Sequence, residues 1–237
     1  MRTPDWTRID LVIFDMDGTL YDPPRLRAAM LLQLLIHAVK NGSLDTLKVL
    51  RTFRRLRERL ADHPGEDFDL LQYTLTAQRH GKSPEVIRSI VHEWMEERPL
   101  PFLRACRVPH VERLFKGLAE AGKSVAVLSD YPARLKLHAL ELEANLVVCA
   151  SDPGVMRLKP DPAGILEILK RTGVAPERCL MVGDRSDRDG EAARRAGVQA
   201  FIRSRKPCTG FATFESFDDA MFEAVLATPL QSRRVGI

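Results

Sequence analysis

The chain has 237 residues, with 36 lysines and arginines against 32 aspartates and glutamates, a formal net charge of +4. That length suits one α/β domain with an inserted module, or two small domains. An apolar share of 45% and a charged share of 29% are those of an ordinary globular protein, and the mild positive balance permits anionic ligands without demanding nucleic acid, for which no recognised motif is present. Cys106, Cys149, Cys179 and Cys208 are widely spaced with no C-x-x-C pair, which points to a reduced, cytoplasmic protein. Met1 to Trp6 reaches its apolar run too late and too briefly for a signal peptide, and no segment is long enough to span a membrane.

The first element is Leu11-Val12-Ile13-Phe14, an apolar run long enough for a buried strand, which passes directly into Asp15-Met16-Asp17-Gly18-Thr19-Leu20. Carboxylates are costly inside a sheet, so Asp15 and Asp17 mark the strand's exposed carboxyl end, where open α/β sheets bind ligands. Side chains at i and i+2 share a face of an extended strand, so both can address one site unless the chain is already turning. One carboxylate would attack, the other would carry protons, and a cation would relieve their repulsion. The competing reading is an acidic turn.

From Pro23 to about Pro109 strand patterns vanish. Arg25 to Val39 is rich in leucine, alanine and methionine, stops at Asn41-Gly42 and reads as a buried helix. Ser43 is the expected N-cap of a second helix whose stripe is Leu44, Leu47, Leu50, Phe53, Leu56 and Leu60. Lys48, Arg51, Arg54, Arg55, Arg57 and Arg59 surround that stripe, either as a solvated face or as a positive rim that recruits an acidic substrate. His63-Pro64-Gly65 breaks the pattern. A third helix is expected from Asp67 to Arg79, and a fourth with Ser83 as N-cap and Pro84 at its first position. Pro99 and Pro101 then close the module.

Helices and strands alternate afterwards. Helices are expected over 111–121, 135–143, 163–171 and 190–196, and strands over 124–128, 146–149, 179–182 and 198–202. Alternation of this kind implies parallel βαβ units, hence a doubly wound, Rossmann-like parallel sheet with an all-helical insertion after its first strand. The tail after Leu230 is expected to be loose.

Three further strings carry chemistry. Leu128-Ser129-Asp130 ends a strand with a hydroxyl and backbone amides able to hold phosphate oxygens, although Ser-Asp also opens ordinary turns. Lys159-Pro160-Asp161-Pro162 stiffens a lysine between a loop and a helix, with Asp161 as a turn or capping residue. Val182-Gly183-Asp184 runs into Asp187 and Asp189, and magnesium needs only a few hard oxygen ligands.

Phe14 to Leu20 resembles the first motif of the haloacid dehalogenase-like hydrolase superfamily, D-x-D-G-T/V-L/T. Ser129, Lys159 and the Asp184–Asp189 pair are similar to its second, third and fourth motifs, in order. The resemblance covers about Ile9 to Phe211, but not the insertion at motif level. It implies a core of residues 1–22 and 108–237, with a helical cap over 23–107. It also implies a magnesium-dependent phosphohydrolase in which Asp15 attacks phosphorus and Asp17 serves as acid and base. Asp15, Met16, Asp17, Ser129, Asp130 and Lys159 would surround the phosphoryl group. Mg2+ would be held by Asp15, the Asp17 carbonyl and Asp184, with Asp189 acting through water or by orienting Lys159, and Asp187 as its competitor. The implied partner is a small phosphomonoester, such as a sugar phosphate, a phosphoglycolate-like ester or a nucleotide monophosphate, acted on by a monomer or homodimer. A phosphomutase shares all four motifs, and the leucine-rich and arginine-rich helices leave room for a lipid or isoprenoid phosphate.

Overall fold

Alternation along β1 (Leu11–Asp15) decides the architecture. Leu11 and Ile13 pack into one apolar cluster while Val12 and Phe14 pack into another, so the strand must be covered on both faces. The computed structural model describes residues 4–62 and 67–227; the expected break at His63-Pro64-Gly65 and the tail after Leu230 both lie outside them. Between β1 and the second strand run α1 (Pro23–Asn41), α2 (Asp45–Asp62), α3 (Phe68–His80), α4 (Pro84–Val91), α5 (Leu100–Cys106) and α6 (Val111–Glu120). Then follow β2 (Ser124–Ser129), α7 (Arg134–Ala139), β3 (Leu146–Cys149), α8 (Ala163–Thr172), β4 (Cys179–Gly183), α9 (Glu191–Arg195), β5 (Gln199–Arg203), β6 (Ala212–Phe214) and α10 (Glu223–Leu226).

The strands form one parallel sheet in the order β3-β2-β1-β4-β5-β6. α6, α7 and α10 cover the Val12/Phe14 face, where Phe14 lies 4.7 Å from Phe115. α8 and α9 cover the other with Ile165, Ile168, Ala192 and Ala193. The chain builds outward from β1 to β3 and then crosses back to β4. The carboxyl ends of β1 and β4 therefore flank the crevice where such sheets bind ligands.

The α1–α5 segment enters and leaves through a narrow neck. Asp22 N donates to Cys106 O at 2.8 Å and Val108 N to Leu20 O at 3.0 Å. The caps follow the sequence: Asp22 accepts from Arg25 N, Gly42 and Gly81 end their helices in the left-handed conformation, and Ser83 caps α4.

Four expectations need correction. α1 is not a buried helix: only Leu26, Met30 and Leu34 are buried, because its neighbours cover one side. Pro99 and Pro101 do not close the segment, since prolines are tolerated in a first turn: Pro99 stands at the start of α5 and Pro101 within its first turn. The helix expected over 135–143 stops at Ala139, and Glu141 takes a positive φ of 56°. The helix expected over 190–196 is α9, preceded by a wide π-type turn at Ser186–Gly190. A π-type turn also extends α4 through His92–Glu97 and carries Trp94 and Met95 into the interior. β6 and α10 extend the fold beyond the last expected strand.

Candidate functional site

Asp15 ends β1 as a buried carboxylate at the crevice. Thr19 Oγ1 donates to its Oδ2 at 3.1 Å, and Lys159 Nζ donates to its Oδ1. The same ammonium donates to Asp189 Oδ1 at 2.6 Å. Asp189 Oδ2 in turn accepts the backbone amides of Asp184 at 3.1 Å and Arg185 at 3.0 Å, tying the β4 loop to Lys159. Gly18 lets the first loop close over this arrangement. Its φ is +106°, and a Cβ there would meet Asp184 Oδ2 at 2.1 Å, so a larger residue would push the acidic loop away.

Oxygens of Asp15, Asp184 and Asp189 lie within 4.8 Å of one another. Burial pushes the Asp15 carboxyl well above the ordinary range; Lys159 opposes that, while Asp189 and Asp184 add to it. Burial and then Asp189 push Asp184 up to about 6. Burial alone would lower Lys159, but Asp15 and Asp189 outweigh it and hold the ammonium charged. The cluster is thus short of positive charge, and its donors are hard oxygens, a set that fits a divalent cation. Asp189 already spends its oxygens on Lys159 and two amides, which leaves Asp15 and Asp184 as the carboxylates with capacity to spare. Asp187 is exposed and bound to Arg185 at 2.9 Å, outside the cluster.

Asp17 has different company. Lys136 Nζ donates to its Oδ1 at 3.0 Å, and the Tyr21 hydroxyl donates to the same oxygen. Burial would raise this carboxyl, but Lys136 and Tyr21 outweigh it and hold it below the usual carboxylate range. The Asp17 carboxylate is thus engaged by Lys136 and Tyr21 and is not part of the Asp15–Asp184–Asp189 cluster.

Sequence reasoning missed Lys136 and Tyr21. A signal for Lys136 exists: Ala133, Leu137 and Leu140 form a buried stripe, and Lys136 stands on it at helical spacing. A lysine on an apolar stripe is costly unless paired.

The remaining expected residues sort themselves by position. Ser129 follows Leu128, the register partner of Asp15, but its buried Oγ accepts Tyr131 N at 3.2 Å and it is not among the residues lining the cavity. Asp130 Oδ1 accepts Lys159 N at 3.1 Å, so its carboxylate braces the lysine segment at the cavity. Met16 is fully buried in the core, leaving only its backbone for the site. Asp161 accepts Ala163 N at 2.9 Å, the capping role expected of it.

Above this floor lies a cavity of about 440 Å³. Pro23, Leu26, Arg27 and Met30 of α1 form one wall, Arg54, Arg55 and Glu58 of α2 another, and Met95 and Pro99 a third. The basic residues of α2 are therefore not one solvated face. Arg54 and Arg55 are exposed at the cavity, whereas Arg57 is buried. Arg57 donates to Gln72 Oε1 at 2.6 Å and to the Asp130 carbonyl, between the rings of Phe68 and Tyr131 at 5.1 and 4.3 Å. Arg185 reaches up to Glu58 at 2.9 Å, so α2 is bonded to the loops that carry the floor.

A family model described as haloacid dehalogenase-like hydrolase matches residues 9–197. The chain is 30% identical over 203 residues to the glyceraldehyde 3-phosphate phosphatase of Methanopyrus kandleri, spanning 80% of this chain and 82% of that protein. It is also 30% identical over 226 residues to the phosphoglycolate phosphatase of Rhodospirillum rubrum, spanning 88% and 86%. The fold is similar to that of a HAD phosphatase from Thermococcus onnurineus, with a TM-score of 0.63 at 20% identity over 91% of this chain and 96% of that one.

Proposed function

The chain belongs to the haloacid dehalogenase-like hydrolases and is a phosphatase of that family, and from this premise we propose that it cleaves a small phosphomonoester through an aspartyl-phosphate on Asp15 with magnesium as cofactor. The observation that carries the reading is the floor itself. A buried carboxylate at the end of β1 is held by Lys159, lies beside Asp184, and has Asp17 two residues away at the base of the cavity.

In the first half-reaction Asp17, ionised in the free site, takes up the proton of the entering phosphomonoester monoanion; an Asp15 oxygen attacks phosphorus, the bond from phosphorus to the ester oxygen breaks, and Asp17 passes that proton to the departing alcohol. In the second, Asp17 takes a proton from water, the water oxygen attacks phosphorus, and the acyl-phosphate bond breaks to return Asp15 and free phosphate. Lys159 and backbone amides of the Asp15 loop offset charge on the phosphoryl oxygens, with Ser129 supporting the neighbouring loop. Asp15 and Asp184 would hold the cation with the Asp17 carbonyl, and Asp189 would hold Lys159; the cation supplies charge neutralisation for a transfer governed by positioning.

The helices over 23–107 act as a cap whose walls select the leaving group, on a core of 1–22 and 108–237. Two relatives' names point to small phosphorylated acids or aldehydes as the substrate class. Free cysteines favour a reducing, cytoplasmic setting. The test is phosphate release from a panel of phosphomonoesters with and without magnesium, beside Asp15→Asn. Release abolished by chelator and reduced at least about a thousandfold by the variant supports the reading. An unimpaired Asp15→Asn enzyme overturns it.

A further inference from the structure

The mechanism leaves one large feature of the molecule unused. On α1, Leu31, Leu32, Leu35, Ile36 and Val39 are exposed by 44–84%. At 100° per residue they fill a solvent-facing arc of roughly 140°, in which the one charged residue is Arg25 at its N-terminal end. Leu44, just beyond the helix, extends the apolar surface. A contiguous aliphatic ridge of this kind marks a contact surface.

The charge around the ridge says what it meets. No acidic residue occurs between Asp22 and Asp45, while Arg25 and Lys40 stand near the two ends of the ridge. From Pro23 to Asp62 there are nine basic residues against three acidic ones; Arg57 is buried and Arg27, Arg54 and Arg55 line the cavity, which leaves Arg25, Lys40, Lys48, Arg51 and Arg59 exposed elsewhere on the α1–α2 hairpin. A second copy docked antiparallel on this ridge would set Arg25 against Lys40, like charge on like. Protein partners are gripped by aromatic anchors and hydrogen-bonding rims, and the ridge has neither, only Leu, Ile and Val on a convex surface. A lipid surface needs no shape complementarity and takes exactly that chemistry of aliphatic ridge with basic flanks.

We propose that α1 is an interfacial helix by which the protein docks reversibly on an anionic membrane surface, with the ridge in the acyl boundary and the basic residues at the headgroups. No helix among the described residues is long and apolar enough to cross a membrane, so the contact is peripheral. The cavity lies against the opposite side of the same helix, through Leu26 and Met30. Docking therefore leaves the catalytic floor intact.

The test is co-sedimentation of the full chain with phosphatidylcholine vesicles containing or lacking phosphatidylglycerol. The doubly substituted Leu32→Ser, Leu35→Ser chain is run in parallel. Binding is expected only to the anionic vesicles, with the double variant partitioning at least about tenfold less. Its thermal midpoint and its hydrolysis of a soluble ester should be unchanged, since neither leucine lines the cavity. No binding to anionic vesicles overturns the proposal, and so does equal binding by the double variant, which would leave charge alone as the cause. A dimer seen by light scattering and abolished by the double variant also overturns it, in favour of a second copy on the ridge.

Discussion

Asp15 and Asp17 stand two residues apart and each meets a buried lysine, yet their surroundings shift them in opposite directions. At the Asp15 end one ammonium serves two carboxylates, with Asp184 as a third nearby, and proton affinity rises. At the Asp17 end one carboxylate has Lys136 and Tyr21 to itself, and proton affinity falls. The difference teaches where the missing positive charge belongs. A cation would complete the Asp15 end, while the Asp17 end is already balanced by the protein. Both donors to Asp17 also fall on Oδ1, so under the proposed mechanism Oδ2 would be the oxygen for proton exchange.

Removing each lysine separates the two ends. Lys159→Ala leaves three clustered carboxylates without their shared partner, and kcat/KM should fall by about a thousandfold in a phosphate-release assay at saturating magnesium. Lys136→Met should lower kcat by about ten- to a hundredfold with KM nearly constant, because Asp17 loses orientation rather than the substrate losing a contact. Lys136→Arg should recover most of that loss. If Lys136→Met raised KM alone, the ammonium would be a substrate contact and the comparison would fail.

The pH response sharpens the same contrast. Folded Asp184 keeps its proton up to about 6, above its ordinary value of 3.8. A carboxyl raised on folding contributes stability below its unfolded value and loses it as pH rises through the folded one. The metal-free chain should therefore lose stability between pH 3.8 and about 6 from this group, and magnesium should restore it. Magnesium must also displace that proton, so its affinity should weaken below pH 6 by up to about tenfold per unit. Thermal melts at pH 5 and 7, with and without magnesium, would show it. A magnesium-induced rise in midpoint equal at both values would remove Asp184 from the site.

The Asp15 end was legible in the sequence and the Asp17 end was not, for a physical reason. Asp15, Lys159, Asp184 and Asp189 each lie at or just beyond a strand end or stiff loop, where an apolar run meeting a charge leaves a pattern in one dimension. Parallel pairing then brings those ends together with no further information needed. Lys136 and Tyr21 reach Asp17 through the pitch of a short helix and the path of the neck, which a single sequence shows only as a lysine among leucines. The insertion was legible as helices, from its caps and stripes, but not in which faces it buries. α1 is apolar nearly all round, so periodicity could not say that one side stays open. Arg57 among six basic residues on α2 carried no mark of being the buried one.

Arg57 provides the smallest effect and the clearest link between roof and floor. Its guanidinium satisfies Gln72 Oε1 on α3 and the carbonyl of Asp130, the residue that braces Lys159. Arg57→Ala leaves both acceptors buried without a donor and removes a cation between two rings, so stability should fall by about 2–4 kcal/mol, read from the urea midpoint. Turnover should drop by less than about tenfold, since no reacting atom is touched. Arg54→Ala, three residues earlier on the same helix, has no buried acceptor to abandon and should leave the midpoint within about 0.5 kcal/mol of the parent. The two substitutions remove the same charge from the same helix. A midpoint that moved equally in both would mean that the helix, and not the bond from α2 to the Asp130 loop, holds the roof on the floor.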